Sequence, residues 1–259
     1  MSELEISSAR FDQERVDPAR ASSRYVLCAT QRSGSFLLCR QLINAGIGVP
    51  QEYFNPLHID ILCRRWQLDR ENGQTYLREL YARRTTRNCV WGTKLQWPQY
   101  LNNLPTIDAG LLETAHCVFL YRADIPAQAV SLHISIVTGV WGFDGTRTTT
   151  NKEGIRLGDI QHVIRCVRTI NHENDAWRQF FASRRIAPLT LRYEDLVANQ
   201  PDSVTRVAEL LGLDRRSIRK PPPEDRGARS PSEIRVVSEE LLDRCRAVVE
   251  KCGTISREV

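Results

Sequence analysis

Tyr25-Val-Leu-Cys-Ala-Thr-Gln-Arg-Ser-Gly-Ser-Phe-Leu-Leu-Cys-Arg-Gln-Leu-Ile-Asn-Ala-Gly46 is the stretch whose reading decides the fold. It opens on β-forming and small apolar residues and breaks at Gln31-Arg32-Ser33-Gly34-Ser35. It then resumes with Phe36, Leu37, Leu38, Leu42 and Ile43 at helical spacing. The pattern predicts a buried strand, a tight loop and the start of a helix. In such a turn the loop N–H groups and the positive helix end point at one spot, and Ser33, Ser35 and Arg32 add hydroxyls and a positive charge. That describes an anion site, most naturally one for phosphate. The plainer alternative is a serine that only caps the helix. The loop is not a Walker A motif, which needs Gly, four residues, then Gly-Lys and Ser or Thr.

Outward from this stretch, Cys89 to Leu95, His116 to Tyr121 and Pro188 to Tyr193 read as further strands. His116 to Tyr121 is continuously apolar, as in a parallel sheet covered on both faces. Helical spacing marks Tyr76 to Arg84, Asp124 (as N-cap) to Thr138, Gly158 to Arg184, Pro201 to Leu211 and Glu233 to Cys252, with a short proline-opened helix from Pro98 to Leu104. Gln51 to Pro56 reads as a loop, and Gly139 to Gly154 is the longest irregular stretch. Strands separated by helices imply βαβ units: an α/β fold with a P-loop-like parallel sheet flanked by helices. Ligands of such sheets bind beyond the carboxyl ends of the strands, where Gln31 to Ser35, Lys94 and Arg122 all fall.

The 259 residues suffice for one large domain, expected over 22–259, with residues 1–21 as a flexible polar arm. No apolar run reaches the length of a bilayer span and no secretory leader is evident, so a soluble cytoplasmic protein is expected. The eight cysteines are scattered, without C-x-x-C pairs or metal spacing, which suits buried free thiols in a reducing compartment and no metal. The net charge of +5 is carried largely by arginine. Guanidinium grips phosphate with a fixed fork of donors, and long like-charge blocks with interleaved aromatics are missing, so a small multiply anionic ligand is expected rather than nucleic acid.

Four blocks in order carry a resemblance. They are the Q-R-S-G-S loop within Tyr25 to Leu38, P-Q-E-Y-F (Pro50 to Phe54), Y-R-A-D-I-P-A-Q-A-V-S-L (Tyr121 to Leu132) and Leu191-Arg-Tyr-Glu-Asp-Leu196. Together, over roughly residues 22 to 215, the chain resembles the Stf0-type bacterial sulfotransferases. The resemblance implies a sulfotransferase fold and transfer of a sulfonyl group from 3′-phosphoadenosine-5′-phosphosulfate (PAPS) to a hydroxyl of a sugar or glycolipid precursor, leaving adenosine 3′,5′-bisphosphate (PAP). It also implies a possible homodimer. By motif position, Arg32, Ser33, Gly34 and Ser35 hold the 5′-phosphosulfate, Arg122 and Ser131 the 3′-phosphate, and Tyr193 lies near the adenine. Tyr193-Glu194-Asp195 reads equally well as a helix-capping turn.

Sulfonyl transfer needs an in-line attacking oxygen, stabilisation of the leaving phosphate and a base. Arg32 is expected at the leaving phosphate and Lys94 at the sulfonyl oxygens. The common cytosolic sulfotransferases place a histidine base two residues after a strand lysine, a position held here by Gln96, which takes no useful proton at neutral pH. The resemblance gives the role to Glu52 of the P-Q-E block, with His58 as rival. Tyr53 and Phe54 are expected to shield Glu52 and raise its pKa. Acceptor contacts are expected from the Pro50 to Asn55 and Gly139 to Thr150 loops, with Trp141 and Phe143 as stacking faces. Phe36 departs from the threonine frequent after Ser35, and Arg226 and Arg229 are candidates for further phosphate contacts. A non-catalytic nucleotide-binding regulator and, with less support, a kinase are the alternatives.

Overall fold

Alternation along the strands explains the sheet. In the computed structural model, which describes residues 11–108, 110–141, 155–214, 216, 218, 219 and 232–255, β1 (Ser23–Ala29), β2 (Val90–Gln96), β3 (His116–Tyr121) and β4 (Leu189–Arg192) form one parallel sheet. The strand order is β2-β1-β3-β4. Tyr25, Leu27 and Ala29 of β1 face one hydrophobic cluster, while Val26 and Cys28 face another. A strand buried on both sides must be apolar throughout, as β1 is. The carboxyl ends lie level: Ala29 pairs with Gln96 and with Leu120, and Tyr121 with Arg192.

The Leu27 face is covered by α1 (Ser35–Ala45), α9 (Tyr193–Ala198) and α10 (Gln200–Leu210). Against the other face lie α2 (Pro56–Trp66), α3 (Gly73–Arg84), α4 (Trp97–Asn102), α5 (Leu104–Ile107), α6 (Leu111–Thr114) and the second half of α8 (Ile160–Arg184). The first half of α8 packs instead on α7 (Ile125–Thr138) and α11 (Ser232–Ile255) in a third cluster, where Leu241 and Cys245 are buried. In that cluster His133 Nε2 donates to Leu157 O at 2.7 Å. Its Nδ1, 2.8 Å from His162 Nδ1, is then the acceptor in the neutral ring.

The sequence reading leaves Pro56 to Trp66 unassigned, yet the residues specify α2 well. Asn55 Oδ1 accepts from Leu57 N at 3.1 Å as the N-cap, Pro56 opens the helix, and Ile59, Leu62, Cys63 and Trp66 recur at three- and four-residue intervals into the core. Residues 11–21, expected as part of an arm, run along α3. Gln13 N donates to Arg83 O at 2.7 Å and Val16 N to Ala82 O at 3.0 Å. Phe11 is buried, and Asp12 forms a 2.7 Å ion pair with Arg84, which is 0% exposed and lies over the rings of Tyr53 and Trp66. Residues 1–10 lie outside the described residues. Among the described residues no helix is long and apolar enough to cross a membrane.

Candidate active site

The loop between β1 and α1 is held by backbone geometry first. Arg32 and Gly34 both have positive φ, +63° and +87°, which turns successive N–H groups toward one side. Gly34 stands at the N-cap of α1. A Cβ there would lie 2.4 Å from Cδ2 of Tyr193, so the ring of Tyr193 rests directly on the glycine backbone. Gly34→Ala is therefore expected to cost about 1–2 kcal/mol from the left-handed conformation alone, before the ring moves aside. Urea unfolding measures it; an unchanged midpoint would show that neither constraint matters.

Side chains fix the loop from below. Gln128 Nε2 donates to Thr30 Oγ1 at 2.8 Å and to Gln31 O at 2.6 Å, and Ser33 Oγ donates to Thr30 O at 2.8 Å. The hydroxyl of Ser33, expected to face the anion, is thus committed to closing the loop, and the residue is 0% exposed. Ser35 is buried as the first residue of α1. Arg32 reaches across: its Nε donates to Ser131 Oγ at 3.0 Å and its Nη1 to Trp141 O at 2.7 Å. Ser131 and Arg32, expected at two different phosphates, touch one another directly.

Arg122, just beyond β3, lies with its guanidinium carbon 4.6 Å from the centre of the Tyr193 ring, and its Nε is buried with no hydrogen-bond partner among the described residues. Glu194 accepts from the backbone N–H groups of Ala123 and Asp124, both at 3.2 Å, and Asp124 caps α7 through Ala127 N at 3.0 Å. Of the two readings of the Y-E-D block, the capping one is met by Glu194, at the start of α7, while the ring of Tyr193 packs against Arg122. Arg246 of α11 pairs with Asp124 at 2.9 Å.

Burial and the nearby charge of Arg122 push the Arg32 guanidinium below its usual range. Arg32 is in turn felt by Lys94. Three cations, Arg32, Arg122 and Lys94, thus gather at the strand ends with one buried guanidinium nitrogen unsatisfied, which an anion with several oxygens would answer.

Glu52 joins this group through Lys94. Its carboxylate pairs with Lys94 Nζ at 2.5 Å and accepts from Gln99 Nε2 at 2.6 Å and Asn55 Nδ2 at 3.3 Å. The main chain sets this up, because Lys94 N donates to Gln51 O at 2.9 Å and lays residues 51–52 along β2. The expectation of a raised pKa is corrected. Burial does push Glu52 upward, but Lys94, His58 and the hydrogen bond from Gln99 prevail and bring it to about 2. Lys94 is raised above its ordinary value: burial works against its charge, and Glu52 more than offsets it. His58, the rival base, is buried and uses Nδ1 to donate to Glu52 O at 2.9 Å. The ring of Phe36 lies 5.9 Å from Lys94 Nζ, so this residue borders the ion pair.

A carboxyl held below its unfolded value stabilises the fold above the unfolded pKa, about 4.3. That contribution is expected to drain away as pH falls from there toward 2. Acid unfolding of Glu52→Gln followed between pH 5 and 2 should accordingly be flatter than that of the native chain.

Trp141, read as a stacking face for an acceptor, packs its side chain against the cluster of α7, α8 and α11 and offers its carbonyl to Arg32. Phe143, Arg226 and Arg229 lie outside the described residues. Gln99, Gln128 and Glu194 have structural partners at the site that no local sequence signal revealed. Among the described residues no three His, Cys, Asp or Glu side chains group as metal ligands.

Cations converging on the carboxyl edge of a parallel sheet, around a loop of P-loop shape, mark a transferase that handles an anionic group. Residues 24–247 match the family model described as Stf0 sulphotransferase, and the chain belongs to that family: it is a sulfotransferase. It is similar to a trehalose 2-sulfotransferase of Mycolicibacterium smegmatis, 30% identical over 236 residues that span 76% of this chain and 87% of the relative. It is also similar to a trehalose 2-sulfotransferase of Mycobacterium tuberculosis, 28% identical over 273 residues, spanning 91% of this chain and 98% of the relative.

Proposed function

We propose that the protein moves a sulfonyl group from PAPS to a hydroxyl of a carbohydrate acceptor, with Glu52 as base. The observation that carries the reading is the buried Glu52–Lys94 pair beside the Arg32 and Arg122 guanidinium groups at the ends of β1, β2 and β3. A bound PAPS supplies the transferable sulfonyl group and a phosphate leaving group. The residues present suit it: Arg122 Nε, without a partner among the described residues, and the Arg32–Ser131 pair answer phosphate oxygens, and the Gly34 turn into Ser35 lets backbone N–H groups approach closely. Tyr193 then serves the donor by holding Arg122 against its face. Lys94 draws negative charge away from the group in flight, and Glu52 takes the proton of the attacking hydroxyl.

The sugar acceptor is supported by the names of the two relatives. A cytoplasmic setting is supported by the free thiols of seven of the eight cysteines, and a homodimer by family resemblance alone. A thermal-shift comparison tests the donor. PAP at a hundred times its dissociation constant is expected to stabilise the protein by about 2.7 kcal/mol, and Mg-ATP by much less. Stabilisation by Mg-ATP with none by PAP would sink the PAPS reading.

A further inference from the structure

A carboxyl group on α8 stands outside the interactions described so far. Glu173 of α8 is half-buried, and among the described residues no hydrogen bond or ion pair engages it, in a chain with 36 lysines and arginines. Burial alone pushes it up to about 7. Buried polar groups ordinarily have partners, and an acid left unmatched is a mark of function.

Its place follows from the contacts of its helix. Trp177 Nε1 donates to Ala29 O at the end of β1, at 3.3 Å, and Asn174 Oδ1 lies 3.5 Å from Thr30 Oγ1. Further along, Phe181 meets Phe119 within β3 and Arg184 reaches Glu113 ahead of that strand. The helix therefore descends across the sheet from the carboxyl ends of the strands, and residues before Asn174 stand beyond that edge, on the side where the anion site lies. Glu173 is four residues before Trp177, hence on the same stripe of the helix, and its side chain leans toward the helix start. That stripe faces α4: the rings of Trp177 and Trp97 meet edge to face, with centroids 5.0 Å apart. Trp97 is half-buried and directly follows Gln96, the end of the strand that carries Lys94.

A second group without a partner lies beside the same strand. Gln51, 3% exposed, precedes Glu52, and neither atom of its amide has a hydrogen-bond partner among the described residues. Its carbonyl is fixed by Lys94 N at 2.9 Å and Thr93 Oγ1 at 3.0 Å. A carboxyl group, an amide and a half-buried indole placed toward the carboxyl ends of the strands are the groups that recognise a sugar ring: polar side chains for its hydroxyls and an aromatic face for its C–H side.

We infer that Glu173 is an acceptor-binding residue, which with Gln51 hydrogen-bonds hydroxyl groups of a polyhydroxylated acceptor whose ring rests near Trp97. The inference rests on the carbohydrate-acceptor reading above. It accounts for a carboxyl group kept without a protein partner, because the acceptor is the partner. It also ties acceptor affinity to pH, since the group changes its hydrogen-bonding character near neutrality: protonated it both donates and accepts, ionised it only accepts.

The test is steady-state kinetics with PAPS as donor and trehalose and other disaccharides as acceptors, on the native chain, Glu173→Leu and Glu173→Gln, with PAP affinity by calorimetry. Glu173→Leu is expected to raise the acceptor KM at least tenfold with PAP affinity unchanged. Glu173→Gln should recover most of that loss at pH 6 and abolish the pH dependence of the acceptor KM between 6 and 8. Both variants should melt no earlier than the native chain at pH 8, because they remove a buried unpaired charge. An unchanged acceptor KM in the leucine variant overturns the inference, as does an equal loss of PAP affinity or earlier melting of the glutamine variant, either of which would make the carboxyl structural. Failure of the native chain to turn over any sugar while binding PAP overturns it together with the carbohydrate reading, and failure to bind PAP identifies the donor reading as the fault.

Discussion

Glu52→Gln is expected to lower kcat by about 10²–10⁴-fold, the range that a positioned general base contributes, with PAP affinity within a factor of two. The amide keeps the shape of the carboxylate and loses its ability to take a proton. In the resting enzyme Glu52 is held well below the usual carboxylate range, at about 2, because Lys94, 2.5 Å away, with His58 and Gln99 outweighs the burial that pushes it up. An ionised carboxylate is the form a base needs, but one at so low a pKa binds a proton weakly. The same burial that Lys94 now overrides pushes Glu52 upward wherever Lys94 is drawn toward a second anion. In the Glu173→Gln chain, where the pH dependence of acceptor binding is removed, the pH profile of kcat/KM, which reports the free enzyme, should therefore stay flat from pH 5 to 7 on its acid side. Lys94→Met, which removes the counter-charge, should bring an acid limb into that range. Native activity in Glu52→Gln would transfer the role of base to another residue.

Asp12→Ala is expected to destabilise the fold by about 3–5 kcal/mol, because it leaves the guanidinium of a fully buried Arg84 without its counter-ion. For a chain of this size that lowers the melting temperature by on the order of 10 °C. Part of the loss should appear at the active site. Arg84 lies over the ring of Tyr53, whose hydroxyl donates to Val49 O at 2.5 Å and whose carbonyl accepts from Tyr76 at 2.7 Å, and Tyr53 is the residue after Glu52. Calorimetry and kcat measured on the same variant separate the two effects; a melting temperature within a degree of native would show that residues near 12 do not close this core.

How much of this was legible in the sequence depended on distance along the chain. The strand, loop and helix of Tyr25 to Gly46 are written in local periodicity and turn chemistry, and the parallel sheet follows from helices lying between strands. Lys94 and Arg122 could be placed at strand ends by counting. The partners of those residues could not, because each partnership crosses the molecule. Glu52 meets Lys94 only because residues 51–52 lie along β2, so its pKa was expected to move the wrong way. Ser33 looks from its position like an anion ligand, yet its hydroxyl closes on Thr30 three residues back. Arg32 and Ser131 are brought together by α7, and nothing local to either announces it. The omission of α2 is different in kind: Asn55-Pro56 and the apolar interval that follows are a readable helix start.

The tie between Arg246 and Asp124 has a consequence for the order in which the protein is made. The four strands of the described sheet have all been synthesised by Arg192, so a nascent chain can close that sheet while α11 is still inside the ribosome. The helix that carries Ser131 is then without the buried Leu241 and Cys245 that back it, and Asp124 is without its arginine. The sheet comes early and the support of the helix that carries Ser131 comes last.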